Sequence, residues 1–132
     1  MKRQIVALAA EETRVVMWDI DTVLADYGNA PWISVETRRL VPREWLSLDR
    51  EYAMGTDPER PVLVFEIMDG LAFLADGNHR VYRAAAEGIP SMRAVVLTER
   101  EHLKYLYRSA EADYRCVLPE LESQGIFIPR VR

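Results

Sequence analysis

The sequence predicts an α/β fold of the α+β kind, a small mixed β-sheet with flanking helices. Three observations carry that expectation. Residues 62–67 are nearly continuous apolar, as a strand covered on both faces should be. Asp69-Gly70 then offers a hairpin turn into a second apolar strand over 71–75. From Phe73 to Gly88 the period changes from strand, through a Gly-containing turn, to a short Ala-rich helix, and an apolar strand over 92–97 follows.

Taken in order, residues 14–20 are β-branched and apolar enough for a strand, and 25–34, with Gly28, Asn29 and Pro31, read as a loop. After Pro42, Trp45, Leu48 and Tyr52 recur at helical spacing until Gly55 ends the run. A second loop spans 55–61. Beyond the central strands, Thr98 and Glu101 form a capping box. Leu103, Leu106, Tyr107, Ala110 and Tyr114 then mark one helical stripe, interrupted at Pro119. Residues 126–129 are apolar and are expected to pack on the body or on a second subunit. Cys116 falls on the late helix and reads as a buried small hydrophobe. Trp18, Trp32 and Trp45 read as core or rim residues, and Trp32 stands out because it follows Pro31 in a loop.

The 132 residues amount to one domain, with a core over about 14–98 and a helical extension over 99–132. Hydrophobic residues make up 49% and charged residues 29%, which argues against extended disorder. A single cysteine excludes an intrachain disulfide and a thiolate metal cage. The apolar run at 5–10 is too short for a signal peptide, and no stretch approaches membrane-spanning length, so a cytoplasmic protein without membrane contact is expected. The net charge is −4, from 21 acidic and 17 basic residues. Duplex-DNA binders usually carry a basic face. Local clusters remain at Arg38, Arg39 and Arg43 and at His79, Arg80 and Arg83. That balance favours a small phosphorylated ligand over a long nucleic-acid track.

The second cluster opens the Ala-rich helix. A helix N-terminus carries unpaired N–H groups and the positive end of the macrodipole, so cations there call for an anion among them. A phosphate would satisfy the amides and the side chains together. The blander account is also open. Gly77 can serve a turn alone, Asp76 and Asn78 are good turn and capping residues, and the arginines can be solvated surface charges.

Asp76-Gly77-Asn78-His79-Arg80, followed by Ala84-Ala85, Gly88 and the 92–97 strand, resembles the signature of the ParB/sulfiredoxin-like superfamily. ParB-type domains show Gly-x-Arg-Arg in this turn, sulfiredoxins Gly-Cys-His-Arg, and free-serine kinases of that fold Asp-Gly-His-His-Arg. The resemblance covers about 14–98 and is specific only over 76–83. It implies a site for a nucleoside di- or triphosphate such as ATP, with or without Mg²⁺. Gly77, Asn78, His79, Arg80 and Arg83 would hold the phosphates, and Asp76 and His79 would be the catalytic candidates. NTP hydrolysis or phosphoryl transfer would be the chemistry. Asn78 stands where sulfiredoxin has its cysteine, which argues against sulfinic-acid reduction. Alternatives are a DNA-binding or nuclease module of the ParB type and a non-catalytic interaction protein. A homodimer would form through the C-terminal region.

A competing resemblance lies at 15–24. An apolar strand ending in Asp19-Ile20-Asp21-Thr22 is similar to the first motif of haloacid-dehalogenase-type phosphatases. That resemblance would make Asp19 a nucleophile and Asp21 a general acid beside Mg²⁺. Such chemistry needs a later Lys or Arg and a downstream acidic pair; Lys104 is the only lysine after the start, Ala75-Asp76-Gly77-Asn78 lacks the second carboxylate, and the chain is short for that fold.

Overall fold

The computed structural model describes residues 3–9, 12–42 and 48–128, with side chains from residue 15 onward. The expected mixed α+β architecture is present. A central sheet of five strands runs in the order β3 (Ile33–Glu36), β6 (Ser91–Leu97), β4 (Val62–Met68), β5 (Leu71–Asp76) and β7 (Ile126–Phe127). Only β4 and β6 are parallel, joined through β5 and the crossover helix α4 (Asn78–Ala86), so the sheet is mixed. A separate antiparallel hairpin pairs β1 (Arg3–Ala9) with β2 (Glu12–Trp18).

β4 shows why its sequence lacks alternation. Val62, Leu63, Val64 and Phe65 are all buried, because both faces of the sheet are covered. Val62 and Val64 join Val81 and Ala84 of α4 in one apolar layer, with Leu40 and Ile128. Leu63, Phe65 and Ile67 join the other layer, formed with Val16 and Trp18 of the hairpin, Val23 of α1 (Ile20–Tyr27) and Tyr114, Val117 and Leu121 of α6 (Glu111–Ser123). The 99–128 region is therefore part of the core and not an appendage. The apolar tail packs on the body: β7 pairs with β5, and Ile128 is buried. The sheet also curls, since Arg39 of α2 (Thr37–Leu40), which follows one edge strand, donates to the Phe127 carbonyl of the other at 3.3 Å.

Several sequence expectations are corrected. Residues 20–27 form a helix, not strand and loop, because Asp19 caps it and accepts from the Thr22 amide at 3.2 Å. The Thr98–Glu101 capping box is real, but α5 (Glu99–His102) lasts one turn and passes into a 3₁₀ turn at Leu103–Tyr105. The chain is then drawn alongside β2: the Tyr107 amide donates to the Met17 carbonyl at 2.9 Å, and the Met17 amide donates to Ser109 Oγ at 3.1 Å. These tertiary bonds override the helical stripe, and Arg108 turns at φ 52°. Pro119 sits inside α6 without ending it. Cys116 is exposed, not buried. The helix near Tyr52 is α3 (Arg50–Met54), capped by Asp49 and closed at Gly55; Arg43 and Trp45 lie outside the described residues.

At the centre of the second layer lies His102, fully buried. Its ring stacks on Phe65 at 4.7 Å and meets the edges of Trp18, Phe73 and Tyr114. Nε2 lies 2.8 Å from the Glu66 carbonyl, which can only accept, so Nε2 carries the proton. Nδ1 is buried without a hydrogen-bond partner, as is Trp18 Nε1. Burial pushes the His102 pKa down to about 4, against the opposing pull of the Glu66 carbonyl and of Glu99 and Glu101. Between about pH 6.5 and 4 the unfolded chain therefore binds a proton that the folded chain refuses. Stability falls as pH drops through that window, by about 3 kcal/mol for this group alone. Chemical denaturation from pH 7 to 4 should show a flatter profile for His102→Gln than for the wild type. Parallel profiles would mean that His102 does not titrate as a buried neutral ring.

Candidate functional site

The turn between β5 and α4 is built as its sequence suggests. Gly77 caps α4 at φ 118°, in the left-handed region, and as a glycine brings no capping side chain of its own. A Cβ there would lie 2.5 Å from Val62 Cγ1 and 2.9 Å from Val62 Cβ, so glycine is required by space as well as by φ. The Gly77 carbonyl accepts from the Val81 amide at 2.9 Å, which leaves the first-turn amides of Asn78, His79 and Arg80 outside the helix's own ladder. Asn78 is exposed, and His79 and Arg80 are half-buried.

The cations are already engaged by the chain itself. Arg80 Nη2 donates to Asp76 Oδ2 at 2.9 Å, and Nη1 donates to the Pro61 carbonyl at 3.1 Å. The ion pair is largely shielded, with side-chain exposures of 13% and 7%. The counter-anion that the cation cluster called for is thus supplied by Asp76, four residues earlier. Arg83 points the other way, donating to the Thr56 carbonyl and, at 3.3 Å, to Glu87. It ties α4 to the loop after α3 and does not face the turn's open end. His79 Nε2 accepts from the Asp49 amide at 3.3 Å, and its ring meets Tyr52 edge-on at 4.8 Å. Asp49 and Tyr52, rather than Asp76, place the imidazole. An acceptor Nε2 puts the proton of the neutral ring on Nδ1.

Asp76, Gly77, Asn78, His79 and Arg80 lie together at this turn, while Arg83, one turn further along α4, is engaged with Thr56 and Glu87. Sequence reasoning missed Asp49, Tyr52 and the Pro61 carbonyl. Asp49 had a legible signal as an N-cap, accepting from the Tyr52 amide at 3.0 Å. The Pro61 carbonyl had none, since only the fold brings it to Arg80.

The donor set does not fit a resident Mg²⁺. Asp76 is the turn's only carboxylate, and it is held by Arg80. Among the described residues no group of three or more His, Cys, Asp or Glu converges on a metal position. The haloacid-dehalogenase resemblance fails on topology. β2 belongs to a two-stranded antiparallel hairpin, not to a doubly wound parallel sheet, and Asp19 is a helix cap. The basic cluster at 38–43 is also neutralised in part. Arg38 and Arg39 both reach Glu36, at 2.7 and 3.2 Å, and the hydrogen bond from Arg38 holds the Glu36 carboxyl below its usual range. Trp32 is exposed, with Arg93 stacked over its ring at 4.6 Å. Among the described residues no helix is long and apolar enough to cross a membrane.

No family model matches the chain, and no curated protein or solved structure matches it.

The Arg80–Asp76 pair makes a stability prediction independent of any ligand. Arg80→Ala removes the cation that faces a shielded carboxylate and should cost about 2–4 kcal/mol, and Asp76→Ala should cost a similar amount. The double variant should lose less than the sum, with a coupling of about 1 kcal/mol or more in denaturant titrations. Strict additivity would show that the two side chains do not stabilise each other.

Proposed function

We propose that the β5–α4 turn binds the phosphates of a nucleoside di- or triphosphate, in the manner that its ParB/sulfiredoxin-like resemblance implies. One observation carries the reading. A nine-residue helix starts at a left-handed glycine with no side-chain cap, beside the half-buried His79 and with a shielded arginine behind it. The amides of Asn78, His79 and Arg80 are the anion donors, strengthened by the helix dipole. Arg80 contributes mainly by fixing the turn and by its charge, since two of its five donors are used internally. In this reading His79 is the residue that acts on the substrate, and Asp76 acts through Arg80. Binding is therefore the core of the proposal, with hydrolysis or phosphoryl transfer as its extension.

A second reading has its own support. Because Asp76 and the Pro61 carbonyl already satisfy Arg80, the turn is a complete scaffold without a ligand, as in a non-catalytic interaction protein. The nucleic-acid reading is weaker, given the net charge of −4 and the pairing of Arg38 and Arg39 with Glu36.

Calorimetric titration with ATP, CTP, GTP and ADP, with and without Mg²⁺, separates the two. The decisive variant is Asn78→Asp. A carboxylate in the first turn suits the helix dipole and should leave the melting temperature level or raised. The same charge repels a phosphate and should weaken nucleotide affinity about tenfold. Arg80→Ala should weaken affinity by about one to two orders of magnitude, compared at conditions where the variant stays folded. Gly77→Val should lose stability first, because its Cβ would meet Val62. Cys116→Ser, exposed on α6, should change nothing. Absence of nucleotide binding to the wild type would leave the scaffold reading standing.

A further inference from the structure

Tyr52 is a large aromatic ring left open beside the β5–α4 turn. It is 62% exposed, and α3 turns Ala53, not Tyr52, into the core. Its position is nevertheless fixed. Its amide donates to the Asp49 cap at 3.0 Å, and its ring stands edge-on to the His79 imidazole at 4.8 Å, with 88° between the planes. α3 itself is tied to α4 near both ends. The Asp49 amide donates to His79 Nε2 at 3.3 Å, and Arg83 donates to the Thr56 carbonyl just past Gly55. The phenol ring is thus held in place before any ligand arrives, which lowers the ordering cost of a contact made on it. His79 is the second residue of α4, and its amide is one of the anion donors of the turn. The open ring therefore lies one side chain away from the phosphate position, at the distance where the sugar of a nucleotide carries its base.

We infer that Tyr52 is the base platform of the site: the nucleobase stacks on the exposed part of its ring while the phosphates occupy the turn. The inference rests on the nucleotide reading of that turn and narrows it, since the preferred ligand is then a nucleotide and not a bare polyphosphate. Stacking buries the open face of the phenol and one face of the base together. It does not read base edges, and every base has a π-face, so ATP, GTP and CTP should all gain from it. The same ring contact has a plainer use, as packing that steadies His79. The two roles part on a ligand that carries the phosphates and no base.

Calorimetry on the full chain, at fixed salt and Mg²⁺, compares ATP with methyl triphosphate, which has the same charge and no base. ATP should bind the wild type about tenfold more tightly. Tyr52→Ala should remove that advantage, lowering ATP affinity about tenfold and leaving methyl triphosphate within about twofold. Tyr52→Phe keeps the ring and should behave as the wild type. The ring-proton resonances of Tyr52 should shift on adding ATP and stay in place on adding methyl triphosphate. Equal wild-type affinity for the two ligands overturns the base platform and leaves the phosphate site standing. So does a Tyr52→Ala variant that weakens both ligands alike, which is the signature of packing on His79, or one that weakens neither. If Tyr52→Ala unfolds, the wild-type comparison and the Tyr52 resonances decide. Failure of both ligands to bind the wild type removes the phosphate site and the platform together.

Discussion

The constraint on which the rest depends is the packing of the Gly77 turn onto the start of β4. Val62 occupies the space where a Cβ would stand, and Arg80 joins the end of β5, through Asp76, to the residue before β4, through the Pro61 carbonyl. Those contacts fix where α4 leaves the sheet. That direction places Val81 and Ala84 over Val62 and Val64, closing one apolar layer. It also lets β6 return parallel to β4. The order of the mixed sheet follows from a single turn in which one residue has no side chain and the next charged pair is shielded from water.

The opposite layer is organised around a different kind of group. His102 is a polar ring used as an aromatic spacer among Trp18, Phe65, Phe73 and Tyr114, with one nitrogen bonded to the Glu66 carbonyl of β4. It ties α5 to the central strand. Next to it the Tyr114 hydroxyl donates to Glu99 at 2.7 Å, and Arg115 reaches Glu99 and Glu111, so α5 and α6 are linked at the rim as well. Burial, followed by the bond to Glu99, raises the pKa of the Tyr114 phenol. Such a core trades hydrophobic uniformity for directional bonds, and a polar network of this kind is stable only while its members stay in their neutral or paired forms.

What the sequence revealed follows a physical division. β4, the Asp69-Gly70 hairpin, β5, the Gly77 turn, α4 and β6 were legible because local signals and tertiary demands agree there: apolar content, turn residues and period all point one way. α1 was not, because Asp19-Ile20-Asp21 looks like the end of a strand until Asp19 is seen to cap a helix. The break at Leu106 was hidden as well, since the helical stripe is genuine and only the bonds of Tyr107 and Ser109 to Met17 defeat it. Pro119 and Cys116 fail for a related reason. A proline's effect and a cysteine's burial depend on how firmly α6 is held and which face it turns inward, and α6 buries Tyr114, Val117 and Leu121. The site shows the same division: the turn's members could be read, but the partners of its charges could not.

Those partners change the weight of the original clue. Three basic-capable side chains at a helix start were an argument for an external anion only while no internal one was known. Asp76 for Arg80, and the Thr56 carbonyl and Glu87 for Arg83, account for both arginines. What they do not account for is the helix end itself. Gly77 stands at the N-cap of α4 without a side chain, where Asp19 caps α1 and Thr98 caps α5. α2 and α6 also start without a bond from the N-cap side chain, but of the three only α4 does so at a glycine in the left-handed region. The case for a phosphate at this turn therefore rests less on the number of cations than on that uncapped end.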